Sequence, residues 1–165
     1  MGKIKYLICT AIALGFVACS DFADDTKVLK RLDSIKNTVW YNYNTANKVY
    51  YNIEYGDIED DENAGWCNGS MKGYNNAERT NIVDSLTQNF IYTFIPAQTV
   101  ENLEAIVRVE FEDGKLYGGE LIPKGALQIS NKDVYIIQLY ETDDKWNPIV
   151  TEENTFQSTI MMWKE

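Results

Sequence analysis

Aromatic side chains interleaved with amides form the segment of this chain whose residue types are best suited to bind a ligand. A ring face can stack on the apolar face of a sugar, while neighbouring amides bond to the sugar hydroxyls. The alternative is that the tyrosines serve strand formation, since tyrosine favours half-buried sheets in which its hydroxyl reaches water. The candidate ligand-binding aromatics are Trp40, Tyr41, Tyr43, Tyr50, Tyr51 and Tyr55, and the amides between them are Asn42, Asn44 and Asn52.

An acidic run follows the aromatic segment and supplies the hard oxygen ligands that calcium prefers. The candidate metal ligands stand at alternate positions, which is a spacing by which a loop can wrap an ion: Asp57, Glu59, Asp61 and Asn63. The run is not an EF-hand, because Glu62 stands where that loop needs glycine and Asn68 where it needs glutamate. A solvated acidic loop is the other interpretation.

The absence of histidine from the chain excludes the serine–histidine–aspartate triad, the cysteine–histidine dyad and histidine-ligated zinc. Cys67 has no imidazole to generate its thiolate, so we expect a buried structural cysteine. Glu110, Glu112 and Glu120 fall on adjacent predicted strands, and a glycosidase needs only two carboxyl groups at the right separation. Outward glutamates are equally ordinary on a half-wet sheet. The residue types predict a non-catalytic protein without a cofactor, with a small carboxylate-dependent hydrolase as the enzymatic alternative.

The charge balance restricts the class of partner. The chain has 15 Lys and Arg residues against 25 Asp and Glu residues, a formal net charge of −10. Nucleic acid is excluded as a partner, because phosphate neutralisation needs a basic face. The same charge suits electrostatic steering toward a basic protein. An acidic protein-binding module of the immunity or inhibitor type is therefore an alternative to ligand binding.

The N-terminus has the order of features found in an export signal. Lys3 and Lys5 precede an uncharged, mostly apolar run over 6–18, which is shorter than the roughly 20 residues of a membrane-spanning helix. Ala18 before Cys19 resembles the lipobox of bacterial lipoproteins. The resemblance implies cleavage after Ala18, acylation of the Cys19 thiol and attachment to a membrane through lipid. An ordinary secretory peptide or a short membrane anchor is the alternative.

The residues after Cys19 bear on the side of the envelope that the protein occupies. Ser20 followed by Asp21, Asp24 and Asp25 resembles the surface-export signal of lipoproteins in some Gram-negative phyla. The resemblance implies an outer-membrane lipoprotein, with surface exposure left open, and a solvated linker is the alternative. Cleavage would remove two lysines and no acid, which changes the formal net charge from −10 to −12.

Hydrophobic periodicity predicts a short N-terminal helix followed by a β domain. Apolar residues at helical spacing predict the helix over 26–37, and from Val39 onward the period changes to two. A polar, glycine-bearing stretch predicts a long loop over 56–73, followed by a short helix within 74–88 and a helical turn over 99–104. The predicted strands cover 39–44, 49–55, 90–95, 105–111, 116–122, 127–130, 134–140 and 155–163.

These elements predict a mainly β fold: an antiparallel barrel or sandwich of about eight strands with one or two short helices. The predicted divisions are a signal peptide over 1–18, a lipidated cysteine, acidic tether and short helix over 19–36, and the β domain over 37–165. A short helix, Trp40 at the start of the first strand and up-and-down hairpins together resemble lipocalin-like (calycin) domains of small bacterial lipoproteins. Thr38 stands where that family's opening Gly-x-Trp has glycine.

The lipocalin-like resemblance implies a small apolar or glycan ligand. The predicted functions can be told apart by whether the β domain has an internal cavity, a filled core or a surface cleft. A lipocalin-like pocket requires an internal cavity lined by the first two strands. A protein-binding module requires a filled core and an acidic, aromatic-studded outer face. A carboxylate enzyme requires two acids converging in a cleft, one of them with a raised pKa.

Overall fold

A closed barrel of eight antiparallel strands dominates the computed structural model, which describes residues 29–97, 105–151 and 159–165. Each strand pairs with the next along the chain, and the first strand pairs with the last to close the barrel. The predicted antiparallel β class is confirmed, and the alternative of a sandwich is resolved in favour of the barrel. The strands are β1 (Thr38–Asn44), β2 (Val49–Glu59), β3 (Cys67–Tyr74), β4 (Gln88–Ile95), β5 (Ala105–Phe111), β6 (Leu116–Ile129), β7 (Lys132–Thr142) and β8 (Thr159–Lys164).

A network of aromatic rings packed edge to face fills the barrel interior. The ring centroids are 6.4 Å apart for Trp40 and Tyr55 and 4.8 Å apart for Tyr55 and Tyr92, separations at which edge-to-face pairs are stabilising. Cys67 is 2% exposed beside them, which confirms the predicted buried cysteine. The network continues across β4, β5 and β6 through Phe90, Phe111 and Tyr117.

The space left between these rings is too small for a ligand. An eight-stranded barrel has an interior that side chains just fill or that holds one small ligand. The void that Ile53, Phe90 and Leu139 help to line measures about 10 Å³, which is the space of a single water molecule at most. Side chains therefore occupy this part of the interior.

The polar atoms of the buried rings are paired within the protein. Trp40 Nε1 donates to Thr38 Oγ1 at 2.7 Å, and the Tyr55 hydroxyl donates to the Met162 sulfur at 3.1 Å. The Tyr92 hydroxyl donates to a backbone carbonyl of β2. Buried polar groups need such partners, so these atoms belong to the core and not to a binding site.

The segment before β1 is extended, not helical, over its described part. Lys30 forms an isolated antiparallel bridge with Lys124 on β6. Ile35 is fully buried and Leu32 packs on the same core, and this burial explains the apolar spacing that predicted a helix. The predicted helix over 26–37 is thus not formed over residues 29–37, and its first turn lies outside the described residues.

The predicted loop over 56–73 is wrong for most of its length. β2 continues to Glu59 and β3 begins at Cys67, which leaves only a turn over 60–66. The inward positions of β3 include glycine instead of apolar residues, because a Cβ on Gly69 would lie 2.2 Å from the Phe90 ring. A glycine in a strand commonly marks such a close approach, and it removed the alternation that would have predicted a strand.

Smaller corrections concern β6 and the helices. The predicted strands over 116–122 and 127–130 are one strand, with a register shift between Ile122 and Leu127. The helix predicted within 74–88 is a 3-10 turn over Asp84–Leu86. The predicted helical turn over 99–104 and residues 155–158 of the last predicted strand lie outside the described residues.

Candidate functional site

Strand alternation divides the predicted aromatic site between the two faces of the barrel wall. Trp40 and Tyr55 are buried in the core, and Tyr51 packs against it. The other three rings, Tyr41, Tyr43 and Tyr50, point outward. Tyr43 and Tyr50 are register partners whose ring centroids lie 4.5 Å apart. The structure therefore brings three of the predicted aromatics together on the outer face of β1 and β2.

A groove with a volume of about 660 Å³ lies on the outer face where β1 meets β8. Tyr41 and Trp163 are opposite each other across this seam, and both are half-buried. They are the one pair in register between the two strands, and the Asn42 amide adds a hydrogen bond of 2.6 Å to the Met161 carbonyl. We call this site the seam groove; it is lined by Asn37, Val39, Tyr41, Arg79, Trp163, Lys164 and Glu165.

The Arg79 side chain lies over the outer tyrosines. Its guanidinium carbon is 4.7 Å from the centroid of the Tyr41 ring and 5.6 Å from that of Tyr50, within the range of cation–π attraction. Arg79 Nε is buried without a hydrogen-bond partner in the protein, and so is Oδ1 of Asn52, which stands opposite Tyr41 on β2. Unpaired buried polar atoms are rare and mark a place where a further group fits.

The loop that presents Arg79 is organised by Asn76. Asn76 Oδ1 accepts the backbone N–H groups of Thr80 at 3.2 Å and Asn81 at 3.1 Å, and the Arg79 N–H donates to the Asn76 carbonyl at 3.1 Å. The backbone of Arg79 is left-handed, with a φ of 53°. This conformation costs about 1–2 kcal/mol for a residue other than glycine. The loop contacts therefore impose the position of the arginine on a strained backbone.

The seam groove is lined by side chains of both charges. Arg79 and Lys164 contribute positive side chains to its lining. The Glu165 carboxylate also lines it, but lies 2.9 Å from Lys132 Nζ in an exposed ion pair. Glu54 is the register partner of Val39, and Asp57 accepts a hydrogen bond from Asn37. Arg79 and Lys164 are therefore the groups in the lining that could pair with an anionic ligand group.

Two tryptophans that are far apart in the chain form a second aromatic pair, which no sequence pattern indicated. The ring centroids of Trp66 and Trp146 lie 5.7 Å apart, and the Arg108 guanidinium is 5.0 Å from the Trp146 ring. The indole packs beside Gly118, where an added Cβ would lie at the ordinary van der Waals distance of 3.6 Å. Both tryptophans lie in turns, where periodicity carries no signal.

The acidic run proposed as a calcium site is held by its own turn contacts. Asp57 accepts a 2.9 Å hydrogen bond from Asn37, and Glu59 is paired in the β2–β3 ladder. Asn63 donates to Asp60 through its backbone and side chain, which lowers the pKa of that carboxyl. Within the described residues, no three His, Cys, Asp or Glu side chains are placed to hold a metal ion. The calcium site at Asp57, Glu59, Asp61 and Asn63 stays a prediction, and the contacts favour a solvated loop.

Two of the three strand glutamates share a shallow depression. Glu110 and Glu112 line a cavity of about 330 Å³ on the outer face together with Asp60, and Glu120 is not part of that lining. Asn89 donates to Glu112 at 2.9 Å. The carboxylates are therefore gathered beside amides, and among the described residues that line this cavity there is no Lys, Arg, Ser, Thr or Cys.

The chain matches no protein-family model, no curated protein and no solved structure. Across residues 29–97, 105–151 and 159–165, no helix is both long and apolar enough to cross a membrane. The predicted signal over 1–18 and the lipidation site Cys19 lie outside the described residues and stay predictions. Function is therefore inferred from the barrel wall and the seam groove.

Proposed function

We propose that this protein is a non-catalytic lipoprotein of the bacterial outer membrane that binds a glycan in the seam groove. The observation that carries the proposal is the pair of half-buried rings, Tyr41 and Trp163, side by side in a concave site of about 660 Å³. Ligand sites commonly measure about 300–1,000 Å³ and combine apolar surface with a few polar groups. The rings offer faces for a sugar, and the Asn37 amide, which lines the groove, offers a partner for its hydroxyls.

The filled interior supports a site on the outer face over a lipocalin-like pocket. The rings of β1, β2, β4 and β5 pack against each other across the barrel axis. The void beside them measures about 10 Å³, which holds at most a single water molecule and not a sugar ring. A ligand would therefore bind the barrel wall.

Anchoring through Cys19 would leave the groove accessible. Because Lys30, Leu32 and Ile35 pack on the barrel, only the chain from Cys19 to Leu29 can act as a tether. It reaches at most roughly 35 Å when fully extended, which lets the barrel stand clear of the lipid headgroups. Each buried methylene of the lipid contributes about 0.8 kcal/mol to attachment. The intact mass of protein from the membrane fraction tests this part: an acylated Cys19 terminus is expected, and an unprocessed Met1 terminus would contradict it.

Titration of a glycan panel tests the site itself. We expect Tyr41→Ala and Trp163→Ala to weaken glycan binding about tenfold, which corresponds to about 1.4 kcal/mol, because each removes a stacking face. Trp146→Ala is the matched control, since it also removes a half-buried outer-face tryptophan but lies outside the groove. Calorimetric titration of the folded variants measures the effect. No glycan binding, or an equal loss in Trp146→Ala, would refute the proposal.

A second candidate function is binding of a basic protein. The filled core and the net charge of the chain favour it, as do apolar side chains exposed on the outer face, including Val39, Ile106 and Met161 at 37%, 42% and 41%. Steering by opposite charge would make the association rate fall steeply with salt. A salt-dependent complex with a basic protein, together with a blank glycan panel, would favour this function over the first.

A further inference from the structure

Arg79 is a charged side chain of the seam groove with a buried polar atom that has no hydrogen-bond partner among the described residues. The Glu165 carboxylate is paired with Lys132, whereas the guanidinium of Arg79 lies over the Tyr41 and Tyr50 rings. Its Nε is buried and unpaired. An unpaired buried donor is unfavourable for folding. A ligand group that accepts hydrogen bonds from this guanidinium would offset that cost.

The chemistry of the exposed edge of Arg79 determines which group fits there. A guanidinium is planar, permanently charged and carries five N–H donors in a fork that matches a carboxylate. The guanidinium lies over the Tyr41 and Tyr50 rings. Ring faces are not conventional hydrogen-bond acceptors, so these contacts leave the N–H donors of Arg79 for another partner. A ligand carboxylate therefore complements the Arg79 guanidinium, which lines the groove.

We propose that the seam groove binds an acidic glycan, in which the carboxylate of a uronic acid unit pairs with the Arg79 guanidinium while a sugar ring stacks on Tyr41. This inference rests on the proposed function and adds the class of glycan. The acidic surface of the chain repels such a ligand at long range, but that repulsion is screened beyond about 8 Å at physiological salt. Recognition would depend on the bidentate contact, which is short-ranged and directional.

Matched pairs of acidic and neutral oligosaccharides test the inference. The probes are galacturonate and alginate oligomers of defined length, each compared with its methyl ester, which keeps the rings and removes the charge. We expect the acid form of at least one pair to bind at least tenfold more tightly than its ester at a salt concentration of about 150 mM. Arg79→Lys should weaken that preference, because lysine keeps the charge but lacks the planar fork that makes a bidentate contact.

The control separates this role from a purely structural one. Arg108→Lys alters a guanidinium that also lies over an aromatic ring, that of Trp146 at 5.0 Å, but outside the groove, and we expect it to keep the preference for the acid form. Equal binding of acid and ester would overturn the inference and leave glycan binding standing. An equal loss of both forms in Arg79→Lys would assign Arg79 to holding the loop and also overturn it. Failure of every acid, ester and neutral glycan to bind would overturn the proposed function itself.

Discussion

Gly119→Ala is expected to destabilise the barrel by about 3 kcal/mol, at the upper end of the usual cost of overpacking. A Cβ on Gly119 would lie 1.9 Å from the carbonyl oxygen of Gln138 and 2.9 Å from the Cα of Leu139. These are backbone atoms of β7, which is held in register with β6 through the pair Gly119 and Leu139. A side chain could rotate away from the added methyl group, but a paired strand must shift as a whole.

The neighbouring glycine provides the matched control for this prediction. A Cβ on Gly118 would lie 3.4 Å from the Thr142 methyl group and 3.6 Å from the Trp146 ring, which are ordinary van der Waals contacts. We expect Gly118→Ala to change the free energy of unfolding by no more than about 0.5 kcal/mol, since alanine is also better tolerated than glycine in a strand. Urea denaturation of both variants measures the difference, and equal costs would contradict the close approach of β6 and β7.

Alkaline pH is expected to destabilise the protein strongly through Tyr55. Burial raises the pKa of the Tyr55 phenol far above its ordinary value of 10.0, and the neighbouring Tyr92 adds to the effect. Above pH 10 the unfolded chain therefore binds fewer protons than the folded one, so stability falls as the pH rises. The contribution is fully present below pH 10 and decreases by about 1.4 kcal/mol per pH unit above it for Tyr55 alone.

Tyr55→Phe tests the origin of this alkaline sensitivity. At pH 8 the variant should lose only about 1 kcal/mol, the contribution of the hydrogen bond from the Tyr55 hydroxyl to Met162. Between pH 10 and pH 12 its free energy of unfolding should fall less steeply than that of the wild type, by about 1.4 kcal/mol per pH unit. Tyr43→Phe, which alters a ring 36% exposed on the outer face, is the control and should keep the wild-type slope. Parallel slopes for wild type and Tyr55→Phe would show that another group governs alkaline unfolding.

The sequence predicts strands where the inward positions carry apolar side chains. β5 is the clearest case, because Ala105, Val107, Val109 and Phe111 are all buried on one face. β3 was missed because the space inside it is filled from elsewhere, by the Phe90 ring beside Gly69 and by Leu86 beside Gly73. A single sequence does not reveal that the apolar group at one position comes from another strand.

The candidate site could be predicted only in part for a similar reason. The aromatic segment that was predicted from the sequence to bind a ligand contains Tyr41, Tyr50 and Asn52. Arg79 comes from a turn without periodicity, and Trp163 reaches Tyr41 only because the last strand closes on the first. That contact follows from barrel closure, so it could be foreseen only once a barrel was preferred to a sandwich.

The junction of the first and last strands makes ligand occupancy and local unfolding thermodynamically linked. β1 and β8 share one residue pair in register, whereas β1 and β2 share seven. Sub-global opening begins where the fewest interactions must break, which places it at this junction. A glycan that touches both Tyr41 and Trp163 would bind only the closed form and would stabilise it by mass action. Saturating glycan would then slow amide hydrogen exchange selectively in β8. The protection of this C-terminal strand would therefore measure how much of the protein has glycan bound.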